Sequence, residues 1–485
     1  MPIRAVRYGA DMNGETSTIR EHVDLRWEEI VPLLCEYIAI PNVSEAFDPD
    51  WRANGHMDRA VELVRAWCAG RDIAGATVEV HELEGRSPLV VVDVPAFGGG
   101  RDRAGDTVLL YGHLDKQPEM EGWRDGLGPW QPVVDGDRLY GRGGADDGYS
   151  AFAALTAIEA LQRTGGSHVR CVVLIEASEE SGSPDLPAHV EALAERLGCP
   201  SLVVCLDSGC IDDERLWVTT SLRGMVSCLL RVDIVREGLH SGDVSGMVPS
   251  TFRIARSLLS RIEDETTGEV LLESCRIDVP AERVAEAMAT AMEIGPIADH
   301  YPFVPGASPT SSDGGEQLLA RTWRAALSVI GADGLPPTAR AGNVLRPSTT
   351  LKLSLRIPPT ADPEAVAAEL SETLTVDPPY GARVSVDHLE HAPGWNAPAT
   401  SPWLAAALDD ASTASFGLGA RYFGEGGSIP FMGMLGERFP DAQFVITGVL
   451  LPDANAHGPN EYLHLPTARR LTECVARILA DHAVR

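Results

Sequence analysis

The chain of 485 residues is 44% hydrophobic and 23% charged, the balance of a globular protein, and is too long for one ordinary core, so two or three domains are expected. Its 70 acidic residues against 40 basic ones, a formal net charge of −30, argue against nucleic acid or an anionic membrane as a partner. No apolar run is long enough to cross a bilayer, the N-terminus lacks the apolar core of a secretory leader, and nine cysteines without a Cys-x-x-Cys pair do not suggest a disulfide framework, so a cytoplasmic protein is expected.

Residues 1 to about 20 read as an irregular arm. Apolar positions at helical spacing predict helices over 27–40 and 57–69, and short apolar runs predict strands over 77–83 and 88–94. Gly98, Gly99 and Gly100 with a charged loop mark a turn, after which the apolar run from Thr107 to Tyr111 predicts a buried strand. A helix over 150–163, a strand over 169–175, a helix near 188–197 and a strand over 202–206 follow. Strands of near-continuous apolar character alternating with helices predict an α/β fold with a mostly parallel sheet sandwiched by helices.

The pattern changes after Trp217. Alternating strands over 223–235, 350–357 and 383–389, with helices over 251–262 and 363–373, predict a smaller α+β unit with one open sheet face. The proline- and glycine-rich stretch 393–398 reads as the hinge back, and the first pattern resumes with a helix over 402–415, a strand over 444–449 and a closing helix over 467–482. The expected organisation is one larger domain built from residues 1–217 and 398–485, with residues 218–397 inserted into it.

The candidate chemistry lies at strand ends, where open α/β sheets bind ligands. His113 and Asp115 follow the strand at 107–111 and share one face of an extended chain, so Asp115 can orient the His113 ring for a metal. Asp146 and Asp147 sit in the glycine-rich turn 141–148 just before a helix. Glu179 and Glu180 follow the strand at 169–175, and two adjacent glutamates there repel unless cations compensate them. Asp207 ends the strand at 202–206, and His457 lies in a tight loop after the strand at 444–449. Two histidines and several carboxylates make a hard nitrogen-and-oxygen set suited to zinc, manganese or cobalt. One carboxylate can bridge two such ions, and a spare one is then needed as general base.

The order of these motifs resembles the co-catalytic, di-zinc metallo-exopeptidases of clan MH, of the carnosinase, glutamate carboxypeptidase, aminoacylase and succinyl-diaminopimelate desuccinylase type. The resemblance runs from about Trp27 onward and implies a catalytic domain with an inserted lid and dimerisation domain. It implies two divalent ions, zinc first with manganese or cobalt as alternatives, held by His113, Asp146, Glu180, Asp207 and His457 with Asp146 bridging. Glu179 would be the general base, Asp115 the residue orienting His113, and the Asp146–Asp147 peptide would be cis.

The same resemblance makes His240, in the run 236–242, the lid histidine that polarises the scissile carbonyl across a homodimer. It makes Arg356 the binder of a substrate carboxylate, a sensible role for a forked guanidinium, with Asn343 nearby and Gly427 and Ser428 contacting the substrate's C-terminal end. Two departures stand out: Gly424 where many family dipeptidases have arginine, and Asp147-Gly148-Tyr149 where relatives often have Asn or Asp followed by Lys. The implied activity is hydrolysis of the amide bond of a small substrate with a free carboxylate, a dipeptide first and an N-acyl amino acid second. An inactive metal-binding homologue is the alternative of another class.

Overall fold

The computed structural model describes residues 18–98, 106–427 and 429–485. Of the expected features, the arm before Thr18, most of the turn and charged loop after Gly98, and Ser428 lie outside the described residues. A nine-stranded sheet runs in the order Thr77–His81, Leu89–Val94, Arg170–Glu176, Asp106–His113, Cys199–Cys205, Gln443–Ile446, Trp217–Leu222 and Trp395–Asn396, with Arg421–Glu425 also paired to Trp217–Leu222. Its centre is parallel: Asp106–His113 pairs in parallel with both Arg170–Glu176 and Cys199–Cys205, and the latter with Gln443–Ile446.

The continuous apolar runs follow from burial on both faces. Val108 and Leu110 face one core with Val90 and Val92, against the helices Ile19–Ile38, Ser150–Arg163 and Leu465–Val484. Leu109 and Tyr111 face the opposite core with Leu186, Val190, Phe431 and Met432 of the helices Leu186–Ala192 and Pro430–Arg438. Five alanines let the almost wholly buried helix Ser150–Arg163 lie close between the sheet and its helical neighbours. The first helix begins at Ile19, well before the apolar spacing at 27–40 suggests, because Thr18 and Glu21 cap it reciprocally. The expected helix near 188–197 is two pieces, Leu186–Ala192 and Ala194–Leu197.

After Leu222 the chain leaves this sheet and builds a second, four-stranded antiparallel one in the order Ala326–Asp333, Ser348–Ile357, Gly224–Asp233 and Arg383–Ala392. Its strands alternate because one face only is covered: Val226, Cys228, Leu230, Leu351, Leu353 and Leu355 pack on the helices Thr251–Leu259 and Pro363–Thr375. The stretch read as a hinge contains Trp395–Asn396, which pairs with Trp217–Leu222 and returns the chain to the large sheet. Two helices that the reading above does not contain, Ala281–Ile294 and Gly314–Thr322, pack on the large-sheet side through Trp217 and Phe423. Among the described residues all nine cysteines are unpaired, and no helix is long and apolar enough to cross a membrane.

Candidate metal centre

His113, Asp207 and the two glutamates lie where strands of the large sheet have just ended, whereas Asp146 and His457 come from a turn and a loop flanked by the small three-stranded sheet of Val133–Asp135, Arg138–Tyr140 and Tyr462–His464. His113 closes the strand Asp106–His113, Asp207 lies two residues past Cys205, Glu179 and Glu180 occupy the short turn after Glu176, and His457 lies in the loop beyond Gln443–Ile446. Asp146 is delivered by the turn Gly144–Gly148, immediately ahead of the helix Ser150–Arg163. Sheet order, rather than chain order, makes these neighbours.

Two donor triplets result, His113 with Asp146 and Asp207, and Asp146 with Glu180 and His457, each with its donor atoms within 4.8 Å of one another. Asp146 is shared: its Oδ1 lies 3.3 Å from His113 Nε2 and its Oδ2 3.0 Å from His457 Nε2. Asp207 Oδ2 is 3.8 Å from His113 Nε2, and Glu180 Oε2 is 3.4 Å from His457 Nε2. Glu179 belongs to neither triplet and stands beside them, 4.0 Å from His113 Nε2.

The supporting contacts explain how so many acids are held. Asp115 is fully buried, its Oδ1 3.4 Å from His113 Nδ1, while its two oxygens accept the backbone N–H groups of Glu179 and Glu180 at 3.1 and 3.0 Å. One carboxylate therefore fixes both the His113 ring and the glutamate turn. The two adjacent aspartates are sorted by the turn, across a cis peptide bond: Asp146 points to the histidines, whereas Asp147 turns back to accept the His113 N–H at 3.1 Å. Gly112 makes room for this, since a Cβ there would lie 2.6 Å from Asp147 Oδ2 and 2.1 Å from Ser150 Oγ. Gln117 donates to Glu180 at 2.7 Å.

The electrostatics are those of acids crowded away from water. Burial, then Asp207 and Glu180, push Glu179 well above the usual carboxylate range, and burial with Asp146 does the same to Glu180. Burial also raises Asp207, with His113 acting against it. Burial opposes a proton on His113, but Asp207, Asp115 and Asp146 outweigh it and hold that imidazole well above its ordinary value. The same pairing lowers Asp146, against burial, through His113 and His457. Five carboxylates and two imidazoles, with no lysine or arginine paired with the triplets among the described residues, form a set that divalent cations satisfy, and the donors fit zinc, manganese or cobalt.

The remaining candidates are distributed differently. Arg356 is half-buried on the open face of the small sheet, lowered by burial, and has no ion-pair partner among the described residues. His240 and Asn343 are neighbours in the small two-stranded pairing of Leu239–His240 with Val344–Leu345, where Ser241 N–H donates to Asn343 O at 3.0 Å. The His240 side chain is 68% exposed, 3.8 Å from Asp243, and among the described residues it makes no ion pair with the carboxylate cluster. Gly427 is exposed in the loop after Arg421–Glu425.

At Gly424 the departure has a steric reason: a Cβ there would meet Ser221 Oγ at 2.4 Å and Thr322 Cβ at 2.8 Å. Positive charge reaches this loop from elsewhere. The buried Arg223 donates to Gly426 O at 3.4 Å and to the carbonyls of Ala320 and Arg324, and the Arg321 backbone also lies against Gly426. Burial, then Arg356 and Arg321, lower Arg223 to about 10. No motif in the sequence marks Arg223 or Arg321 as a site residue, because their nearness to Gly426 depends on packing between segments far apart in the chain. A cavity of about 960 Å³ lies apart from the carboxylate cluster, lined by residues including Tyr301, Gln317, Arg321 and Arg324.

A large sheet with a parallel centre, an antiparallel insertion and a shared-carboxylate donor cluster is the build of a metallohydrolase. The chain belongs to peptidase family M20/M25/M40, whose sequence profile matches residues 109–481. It is similar to a cysteinylglycine-S-conjugate dipeptidase of Corynebacterium striatum, 28% identical with 84% of this chain and 86% of the relative covered. A Cys-Gly metallodipeptidase of Schizosaccharomyces pombe is 26% identical, with 92% and 94% covered. The fold is that of human carnosine dipeptidase 1, with a TM-score of 0.74 at 21% identity, covering 96% of this chain and 99% of that one.

Proposed function

We propose that this enzyme is a dipeptidase whose reaction is run by the two triplets that share Asp146, with Glu179 as its general base. The observation that carries this is the arrangement itself: five potential ligands on separate segments, one carboxylate common to both triplets, and one glutamate left over beside them. The Cys-Gly and carnosine dipeptidases among its relatives support a dipeptide as substrate.

His113, Asp146 and Asp207 would hold one divalent cation and Asp146, Glu180 and His457 the other, zinc being the ion proposed. Such a pair supplies Lewis acidity toward a carbonyl oxygen and toward a water. Glu179 takes the proton from the attacking water and returns it to the leaving amine. Asp115 keeps the His113 ring in register and the Glu179–Glu180 turn in place.

Arg356, half-buried and without an acidic partner among the described residues, would receive the substrate's free carboxylate, with Gly427 and Ser428 at the same end. His240 and Asn343 would serve a second copy of the chain, His240 donating to the developing oxyanion. Their exposure, together with the exposed Val329 and Ile330 on the edge strand Ala326–Asp333, supports a homodimer built through residues 218–397.

Glu179→Gln tests the assignment. Metal content should stay at two ions per chain while turnover of Cys-Gly falls by about 10²-fold to 10⁴-fold; unchanged turnover removes Glu179 from the mechanism. A panel of dipeptides beside N-acetyl and N-succinyl amino acids tests the substrate class, and activity on the acylated set alone would overturn it.

A further inference from the structure

Behind the second triplet lies a pair of buried charges with no part in the scheme above. Arg142 is four residues before Asp146 and Glu461 is four residues after His457; their side chains are 1% and 0% exposed, and they form an ion pair. Every arm of the guanidinium is used. Nη1 donates to Glu461 Oε2, Nη2 to the carbonyl of Gly458 at 3.0 Å, and Nε to the carbonyl of Pro118 at 3.2 Å. Glu461 is used just as fully: its Oε1 accepts the Gly143 N–H at 2.9 Å and its backbone carbonyl accepts the Gly141 N–H at 3.0 Å. One guanidinium–carboxylate pair thus ties together the segment after Asp115, the turn that carries Asp146 and the loop that carries His457.

The need for such a tie differs between the two triplets. His113 ends a strand paired on both sides, and Asp207 follows one that is likewise paired on both sides, so the ladder itself sets their positions. His457 itself lies on no strand; the ladder of Tyr462–His464 with Arg138–Tyr140 begins only beyond Glu461. The His457 side chain is 56% exposed, and the residue sits at φ 63° in a loop where Asn455 and Asn460 also have positive φ. Its placement must come from what anchors the loop: that ladder at its end, the Arg124 N–H donated to Asn460 Oδ1 at 2.8 Å, and, nearest to His457, the hold of Arg142 on Gly458 and Glu461.

We infer that Arg142 and Glu461 are positioning residues for the Asp146–Glu180–His457 site, holding the His457 loop against the Asp146 turn, while His113 and Asp207, which complete the other site with the shared Asp146, do not depend on them. This rests on the reading that the two triplets hold cations. Arg142→Lys keeps a charge for Glu461 but loses the fork that also reaches Gly458 and Pro118.

Equilibrium titration of the metal-stripped protein with Mn²⁺, read as free ion by electron paramagnetic resonance, is the direct test. Wild type should bind two ions. Arg142→Lys should bind one with unchanged affinity and the second about 10-fold to 100-fold more weakly. Its kcat should fall at low Mn²⁺ with KM unchanged, and raising Mn²⁺ should restore it. Glu461→Gln, close in size, should show the same split. Equal weakening of both ions, no weakening of either, or loss of cooperative unfolding in both variants would overturn the inference. A wild-type chain holding fewer than two ions would instead sink the reading on which it rests.

Discussion

At the carboxyl ends of the large sheet, the His113 and Asp115 side chains are fully buried and Asp146 and Asp207 nearly so, whereas in the inserted region the His240 ring, in its two-stranded pairing, is 68% exposed and Arg356, on the small sheet, half-buried. The first group is held by strand pairing and by hydrogen bonds to backbone N–H groups, so its like charges are fixed before any substrate arrives. Repulsion among fixed acids is relieved by cations, which makes the cluster a site by electrostatics alone. The second group has no such internal compensation and stays hydrated. Its part in chemistry therefore requires that something bring it to the cluster, a second copy or a closing movement, whereas the first group is complete within one chain.

The sharpest way to break this contrast is at the shared carboxylate. Asp146→Ala should lose both ions and all measurable turnover, while Asp207→Ala loses one, by metal analysis after gel filtration; an Asp146→Ala protein that keeps two ions would end the shared-ligand reading. In the inserted region, His240→Ala should lower kcat by about 10²-fold to 10³-fold, the range for an oxyanion donor, with the metal-to-protein ratio unchanged. An unaltered kcat would show that this exposed region never reaches the reacting centre.

Arg356→Met should raise KM for dipeptides by roughly 10-fold to 100-fold, as expected from losing a hydrogen bond between charged groups worth about 1.5–3 kcal/mol. For C-terminally amidated dipeptides the two proteins should differ little, and an equal loss on both substrates would argue against carboxylate binding.

The smallest effect lies behind the cluster at Glu176, where burial raises the carboxyl from 4.5 to about 7 although Tyr111 and Ser183 donate to it. Because the folded chain favours the protonated form, the stabilisation is complete below pH 4.5 and is lost as pH rises to about 7. The unfolding temperature of the metal-stripped protein should accordingly fall more across that window in wild type than in Glu176→Gln. Identical slopes would place the pH dependence elsewhere.

Much of the architecture was legible because periodicity is local. The helices Ser150–Arg163 and Pro402–Ser415 fall where the apolar spacing put them, and the paired strands of the small sheet show the alternation that one open face produces. The start at Ile19 was also written in the sequence, as Thr18 followed three residues later by Glu21. The helices Ala281–Ile294 and Gly314–Thr322 are not among the expected elements, and their packing on Trp217 and Phe423 rather than on the small sheet is not a property of their own sequence. Within the candidate site, Arg142 and Glu461 stand inside the motifs that drew attention to Asp146 and His457. The side chains beside the expected ligands hid them, since a buried ion pair has no spacing of its own.

The sequence by itself determined which kinds of side chain end the strands and that the parallel core is apolar on both faces, because each depends on neighbours along the chain. Tertiary structure supplied what the motif order only implied by resemblance: the convergence of the two triplets, with Asp146 turned to both histidines while Asp147 accepts the His113 N–H, and the exposure of His240. The reason is that the sheet places Asp106–His113 beside Cys199–Cys205 and that strand beside Gln443–Ile446, an order not followed by the chain. Short-range periodicity cannot encode which strand ends become neighbours; burial of the whole sheet selects it.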